Sequence, residues 1–224
     1  GIKMGKRFPE FVVNPNDVVK EHGADTLRLY EMFMGPLEAD KPWNNSATEA
    51  SKKFLDRVWR LYIDEDKIKD EPNKNLEKIY HQTVKKVTND YETLNFNTAI
   101  SQMMIFINAV YKEEVFPMEY AIGLVKLLNP IVPHITEEIW EQVFKKEESI
   151  ANETWPVYDE NKIVDETFIL IVQVNGKVRG KIEIDSNTSE EEMKTSALNI
   201  ENVKTFTEGK EIVKIIVIPK KLVN

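Results

Sequence analysis

Cysteine is absent from this chain of 224 residues, which excludes disulfide bonds and metal sites built from thiolates and fits a reducing compartment. Histidine is scarce, and the spacing of His22, His81 and His134 matches no metal-binding motif. No apolar run reaches the length of about 18 residues that a membrane-spanning helix needs. Walker loops, dinucleotide-binding fingerprints and nucleophile–base motifs are also missing. We therefore expect neither a membrane partner nor a bound metal.

The composition is that of an ordinary globular protein, with 42% hydrophobic and 30% charged residues. The chain is long enough for one large domain or for two to three small ones. Its formal net charge of −8 argues against a protein whose whole surface binds nucleic acid. Any contact with nucleic acid is therefore expected at a few local basic patches.

The segment from Lys3 to Trp43 is the part of the chain richest in specific residues. It opens with a basic loop, Lys3-Met4-Gly5-Lys6-Arg7. Asn14-Pro15 and Gly23 then predict the start and the end of a short helix. Asp25 is predicted to cap a second helix, which Gly35-Pro36 ends. The simplest interpretation of two short helices joined by one glycine is a rigid structural bracket.

A series of longer helices is predicted to follow. Ser46-Ala47-Thr48-Glu49 has the pattern of a capping box and predicts the first of them. Apolar residues at a period near 3.6 predict four more, beginning near Leu76, near Asn97, after Pro117 and at Pro133. Helices of this length with short loops favour an antiparallel bundle. The residues expected in its core include Val58, Val84, Val87, Met103, Ile105, Phe106, Leu124, Ile139 and the tryptophans Trp43, Trp59 and Trp140.

The sequence pattern changes near Phe168, where a run of β-branched and apolar residues predicts a strand to Val174. Asn175-Gly176 is a strong hairpin signal, and alternating residues 177–184 predict the returning strand. A helix capped by Thr188 or Ser189 is predicted over 188–199, followed by strands at 213–218 and near the last residue. The fold class is therefore mainly α with a small α+β domain, an antiparallel helix bundle followed by a mixed hairpin and helix domain.

Two groups of cations are candidates for phosphate binding. In the basic loop, Gly5 gives the backbone freedom to fold over a polyphosphate, and the cations could offset charge that develops as a bond to phosphorus breaks. The commoner alternative for such a cluster is solvated surface. Lys177, Arg179 and Lys181 are spaced by two on one strand, which predicts that they share one sheet face suited to phosphate contacts. A lysine-rich face that only keeps the sheet soluble fits this spacing equally well.

Three motifs resemble those of one family. The stretch VVNPNDVVKEHGADTLRLYEMFMGPLEADKPW resembles the segment that follows the KMSKS signature in bacterial-type leucyl-tRNA synthetases, which are class I enzymes with a Rossmann catalytic core. LLNPIVPHITEEIW, residues 127–140, is similar to the anticodon-binding domain of the leucine, isoleucine and valine enzymes. VQVNGKVRGKI, residues 172–182, resembles the start of the leucine enzyme's C-terminal domain. The three motifs occur in family order and together cover essentially the whole chain.

The resemblance implies a role for each part of the chain. Residues 1–44 would be the end of the catalytic core with the KMSKS-like loop and the stem-contact helices, 45–148 the bundle, 149–166 a linker and 167–224 a tRNA-contacting domain. The loop would bind ATP, used with Mg in the full-length enzyme, through Lys3, Met4, Gly5 and Lys6, and Lys6 with Lys3 would be catalytic. Gly5 and Arg7 stand where the family usually has serine, which departs from the usual loop pattern.

The resemblance also implies partners and an assembly state. Leucine tRNA would be bound through Lys177, Arg179 and Lys181, by a cytoplasmic enzyme that is a monomer. The HIGH motif and the catalytic, editing and zinc modules would lie upstream of Gly1, so the chain is expected to be a C-terminal fragment, inactive alone and without bound ATP. The alternative is a free-standing, non-enzymatic tRNA-binding or helical interaction protein built from the same modules.

Overall fold

The computed structural model describes residues 4–5, 7–64, 66–163, 167–186, 188–219 and 221–224. The chain divides into two compact units, Gly1–Ile163 and Val164–Asn224. The first unit is built almost wholly from helices, and the second contains a four-stranded sheet with two helices. This architecture confirms the predicted fold class. The finer division of the chain into a core segment, a bundle, a linker and a C-terminal domain stays a prediction.

The first unit contains seven α-helices within its described residues. They are α1 (Pro15–His22), α2 (Ala24–Phe33), α3 (Asn45–Ile63), α4 (Lys74–Glu92), α5 (Phe96–Val110), α6 (Met118–Leu128) and α7 (Pro133–Gln142). Two short strands, β1 (Ile68–Lys69) and β2 (Phe116–Pro117), pair in parallel between the helices. The predicted helices starting near Leu76, near Asn97, after Pro117 and at Pro133 are confirmed to within two residues.

Asparagine side chains fix the starts of three helices. Asn14, Asn44 and Asn73 each accept a hydrogen bond from a backbone N–H in the first turn of α1, α3 and α4. Such a bond satisfies one of the N–H groups that a helix start leaves unpaired, and it is typically worth about 1 kcal/mol. The predicted capping box at Ser46 was wrong, because Asn44 caps α3 through Ala47 N and Ser46 already lies within the helix.

Helices α2 to α7 share one apolar core. Ile105 was expected in this core but is 52% exposed, because the face of α5 that packs on the core carries Met103 and Phe106. Of the three tryptophans expected in the core, Trp140 is buried there and Trp59 packs at the edge of the core. Trp43 packs on Tyr30 at a ring distance of 4.7 Å and lies outside the core, so its predicted place was wrong.

Helix α2 is fastened to the start of α7 by two charged side chains, Asp25 and Arg28, which we call the α2–α7 clamp. The Asp25 carboxylate accepts hydrogen bonds from Ile135 N at 2.7 Å and His134 N at 3.3 Å. One turn further along α2, Arg28 donates hydrogen bonds to the backbone carbonyls of Ile131 and Pro130, both at 2.8 Å. Asp25 was predicted to cap its own helix, and this was wrong, because its carboxylate caps α7.

The second unit is a four-stranded sheet with two helices on one face. Its elements are β3 (Thr167–Val174), β4 (Lys177–Asp185), α8 (Glu190–Asn199), α9 (Glu201–Thr207), β5 (Val217–Ile218) and β6 (Leu222–Val223). The strand order is β4-β3-β6-β5, with β3 antiparallel to β4 and parallel to β6. Side chains of β3, β4 and β6 form a second apolar core with side chains of α8 and α9. The buried residues of this core are Leu170, Val172, Ile184, Met193, Ala197, Val203 and Val223.

In this unit the sequence predicted the turn and the helix cap correctly, but it did not predict helix α9 or the extent of strand β5. The Asn175-Gly176 hairpin is confirmed, with φ of 50° and 75° at its two residues, as a type I′ turn requires. Ser189 caps α8 in a full capping box with Glu192. Helix α9 was not predicted, and the strand expected over 213–218 is reduced to Val217–Ile218, where β5 meets β6.

Candidate nucleic-acid interface

The basic loop at the start of the chain is described in part. Lys3 and Lys6, two of the predicted ATP-binding residues, lie outside the described residues. Met4 is 40% exposed, and the Gly5 carbonyl accepts a hydrogen bond from Phe8 N at 3.0 Å. A side chain at residue 5 would meet no heavy atom within 4 Å, so a serine there would find space. The ATP site therefore stays a prediction.

A β-bulge changes the arrangement of the three cations on β4. Val172 pairs with Gly180 and Gln173 pairs with Val178, so that Arg179 has no partner on β3. As a result Lys177 lies opposite Val174, whereas Lys181 lies opposite Ile171. Val174 and Ile171 are three residues apart on β3, so their side chains point to opposite faces of the sheet. Because paired residues on neighbouring strands share a face, Lys177 and Lys181 are on different faces. The prediction that all three cations share one face was wrong.

Arg179 lies on the face that carries the helices. Its guanidinium carbon is 3.9 Å from the centre of the Phe206 ring on α9, a cation–π contact that holds the group in place. Its Nε is buried without a hydrogen-bond partner among the described residues. Next to it, a Cβ at Gly180 would lie 3.0 Å from two side-chain carbons of Ile200, so any larger residue there would require Ile200 to shift at the α8–α9 junction.

The helix face of the sheet also has a cleft of about 350 Å³ between β3, α8, α9 and the segment 210–216. Lys194, Lys210 and Lys214 are among its lining residues, together with the Phe206 ring on which Arg179 stacks. Lys194 is already paired with Glu191 at 2.5 Å, and Glu211 also lines the cleft. An aromatic ring among cations can take a base by stacking and phosphates by charge.

Several of these residues were missed in reading the sequence. Phe206 lies on helix α9, which was not predicted. Lys214 lies within the strand predicted over 213–218, and Lys210 lies just before that strand. The one sequence feature that could have indicated this cationic cleft is the recurrence of lysine between apolar residues over 204–221. The same pattern is equally typical of an edge strand.

Other kinds of site find no support within the described ranges. No group of three or more histidine or acidic side chains there could hold a metal ion. His134 has a 73% exposed side chain whose Nδ1 lies 2.8 Å from the Asp25 carboxylate. No described helix is both long enough and apolar enough to cross a bilayer.

Comparison with known proteins assigns the chain to a family. The sequence model of the family described as the anticodon-binding domain of tRNA ligase matches residues 73–194. The match is more than half of the chain and runs from the cap of α4 into α8. The chain belongs to this family.

One solved structure is similar to this chain along the whole length of the chain. It is the crystal structure of the LeuRS of Agrobacterium radiobacter in a ternary complex with tRNA and LeuAMS. The two share 29% sequence identity with a TM-score of 0.78, and the match covers 100% of this chain. The chain spans 30% of the length of that LeuRS. The resemblance to leucyl-tRNA synthetase drawn from the sequence motifs is thereby confirmed.

Proposed function

We propose that this chain is the tRNA-docking part of a leucyl-tRNA synthetase, the enzyme that uses ATP to join leucine to its tRNA through leucyl-adenylate. The observation that carries the proposal is the similarity of all of this chain to a LeuRS seen in complex with tRNA. The cationic helix face of the second unit supports it, because Arg179 and Phe206 offer charge and stacking at one place.

In this proposal the tRNA backbone lies along the helix face of the sheet. Lys177 and Arg179 belong to this face, whereas Lys181 lies on the other one, so a single flat RNA surface cannot touch all three. Lys181 thus provides a matched control on the same strand. The contact of Lys181 with tRNA that the sequence predicts is not part of this docking arrangement.

Measuring the salt dependence of tRNA binding tests the arrangement. Lys177→Gln should flatten the plot of log affinity against log salt by about 0.9 units, because one phosphate contact is lost. Lys181→Gln, which removes the same charge four residues away, should leave the slope unchanged. An equal effect of both variants, or an effect of Lys181→Gln alone, would contradict the docking of tRNA on the helix face.

The proposal extends to the N-terminal loop of the parent enzyme. There Lys6 and Lys3 would stabilise the ATP phosphates, and Met4 and Gly5 would shape the loop. A mobile cation accelerates the reaction most when it binds the transition state more tightly than it binds the ATP of the ground state. Replacing Lys6 by alanine in the full-length enzyme should lower the rate of adenylate formation. An unaltered rate at saturating ATP would remove Lys6 from the mechanism.

The chain by itself is proposed to be inactive, because the resemblance places the HIGH motif and the leucine pocket outside it. The purified chain should show no ATP–pyrophosphate exchange under conditions where the full-length enzyme is active. Exchange above the background of a protein-free control would contradict this part of the proposal.

A further inference from the structure

The last part of the first unit lies along α4. Residues 153–162, which we call the α4 latch, form neither helix nor strand from Thr154 to Asp159 and end in one turn of 3₁₀-helix, Glu160–Lys162. They lie in the stretch that the sequence predicts to be a linker, just before the second unit begins. Ile150 is buried in the helical core and fixes the chain at the start of the latch.

Four residues of α4 contact the latch and form one stripe along the helix, because they are spaced by four, four and three. They are Glu77, His81, Lys85 and Thr88. Two of them make ion pairs: Glu77 pairs with Lys162 at 2.9 Å, and Lys85 pairs with Glu160 at 2.7 Å. The four charged side chains are 40–62% exposed, so these pairs contribute little to holding the latch.

Two hydrogen bonds complete the contact between the latch and α4. The Trp155 indole N–H donates to Thr88 Oγ1 at 2.8 Å. The backbone N–H of Asp159 donates to His81 Nδ1 at 3.2 Å. Unlike the ion-paired side chains, His81 is only 5% exposed. The bond to His81 is therefore the point at which the latch meets a buried group of α4.

This hydrogen bond fixes the protonation state of His81. Because Nδ1 accepts a hydrogen bond from Asp159 N, it carries no proton, and the neutral ring holds its single proton on Nε2. Nε2 is buried without a hydrogen-bond partner among the described residues. A second proton would bind to Nδ1 and point at the N–H of Asp159, which cannot accept it. The contact seen here is thus incompatible with a protonated His81.

Charged groups from the latch, α4 and α6 act on His81. Burial lowers the pKa of His81, and the charge of Lys162 on the latch lowers it further. Three carboxylates act in the opposite direction and raise it, Glu119 on α6, Glu77 on α4 and Asp159 on the latch. In the closed contact, burial and Lys162 together outweigh the carboxylates, so the neutral ring is favoured.

Two aromatic rings complete the surroundings of His81. The rings of Tyr80 on α4 and Tyr120 on α6 lie 5.2 and 6.2 Å from the imidazole. Burial raises the pKa of both tyrosine hydroxyls, so they stay neutral over the range in which histidine titrates. The proton that decides the state of the latch is therefore the one that His81 takes up.

We infer that residues 153–162 are a proton-operated latch, closed on α4 while His81 is neutral and open once His81 is protonated. In the open form water replaces Asp159 at the imidazolium and satisfies its two N–H groups. One proton is taken up on opening, so the equilibrium between the two forms depends on pH. Opening frees the chain that leads into the second unit. This inference does not depend on the proposed function.

Hydrogen exchange of the chain between pH 7.5 and 5 tests the inference. The protection of the Asp159 amide and of the Trp155 indole N–H, corrected for the intrinsic exchange rate, should fall below about pH 6.5 by up to about 10-fold per pH unit. It should stay at least about 10-fold below the protection of the buried Phe106 amide in α5, because the latch opens without unfolding the helices. Protection of Asp159 that does not change with pH would overturn the inference. Protection equal to that of Phe106 throughout would overturn it as well.

The variant His81→Asn tests whether the proton on His81 is responsible. Asparagine offers Asp159 an acceptor but cannot be protonated, so the protection of Asp159 should become independent of pH. A fall in protection that persists unchanged in His81→Asn would assign the opening to the carboxylates of the ion pairs and overturn the inference.

A second pair of variants decides the matter if His81→Asn does not fold. Glu119→Gln removes an exposed carboxylate that favours the protonated ring, without removing any latch contact described above, so opening should shift to lower pH. The control, Glu201→Gln, removes an exposed carboxylate from the first turn of α9, as Glu119→Gln does from the first turn of α6. Glu201 is not among the groups that act on His81, so this control should leave the opening unchanged. Identical dependence of protection on pH in the two variants would overturn the inference.

Discussion

Asp25 shows how one residue can connect two helices. It lies in the first turn of α2 and accepts N–H groups from the first turn of α7, so the positive ends of two helix dipoles meet at one buried carboxylate. Hydrogen bonds from backbone N–H groups to a charged acceptor are among the stronger ones in proteins. The α2–α7 clamp thereby joins the N-terminal bracket to the bundle that belongs to the anticodon-binding family.

Replacing Asp25 by alanine should destabilise the helical unit by about 1–3 kcal/mol, because two backbone N–H groups at the start of α7 lose their acceptor. Chemical denaturation followed by circular dichroism measures the change. Asp40→Ala, which removes an exposed carboxylate from a loop, should change the free energy of unfolding by less than about 0.5 kcal/mol. A loss no larger than that of Asp40→Ala would contradict the clamp.

His81 makes the stability of the helical unit depend on pH. Its side chain is buried, and Nδ1 accepts a hydrogen bond from Asp159 N at 3.2 Å. Burial, together with the nearby charge of Lys162, lowers the pKa of His81 below its ordinary value, although Glu119, Glu77 and Asp159 act in the opposite direction. The unfolded chain therefore takes up this proton at a higher pH than the folded one.

The free energy of unfolding should thus decrease as the pH falls below about 6.5, the ordinary pKa of histidine. His81→Asn keeps an acceptor close to the position of Nδ1 but cannot be protonated, so it should reduce this decrease. Denaturation midpoints measured between pH 7.5 and 5 in both proteins test the prediction. Parallel curves for the two proteins would show that His81 does not titrate on unfolding in this range.

At the scale of elements, α4 and α6 approach each other at one glycine. A Cβ at Gly123 on α6 would lie 2.0 Å from the Tyr80 hydroxyl and 2.8 Å from two of its ring carbons. The Tyr80 ring is stacked on Tyr120 at 4.1 Å, and both side chains are buried. The tyrosine therefore has little room to move away, and the packing of the two helices depends on the missing side chain.

Gly123→Ala should destabilise the chain by about 1–3 kcal/mol through overpacking, although alanine in a helix interior is ordinarily favoured over glycine by about 1 kcal/mol. Adding Tyr80→Phe removes the closest clashing atom, so the double variant should recover part of the loss. A double-mutant cycle on the free energy of unfolding measures this coupling. A stabilising effect of Gly123→Ala would show that α6 can shift without cost.

Sequence patterns predicted the elements whose signals are local. Asn175-Gly176 and the capping box at Ser189 depend on a few neighbouring residues, and both were confirmed. The elements that were misjudged depend on distant partners. Helix α9 has no side-chain cap, and its position follows from Val203 in the sheet core, while β5 ends where its pairing with β6 ends.

The candidate site shows the same limit. The cations of β4 were identified, but the bulge at Arg179 that separates their faces is visible only in the pairing with β3. The contacts of Arg57 and Lys67 with the Tyr111 ring were also missed, because residues this far apart in the sequence meet only through the packing of the helices.

At the scale of the whole molecule, the chain joins an acidic body to a few cationic surfaces. The formal net charge is −8, yet Lys177 and Arg179 lie together on the helix face of the sheet in the second unit. The proposed function requires that RNA is bound at such local surfaces, where each phosphate contact would release a counterion. The affinity for tRNA should therefore be sensitive to salt, despite the overall negative charge.

The most direct test of the account is a titration of labelled leucine tRNA with the purified chain, followed by fluorescence anisotropy at several salt concentrations. The account predicts saturable binding at low salt, with log affinity falling linearly with log salt by about 0.9 units per phosphate contact. Absence of binding at 50 mM salt, or an affinity that does not change with salt, would contradict it.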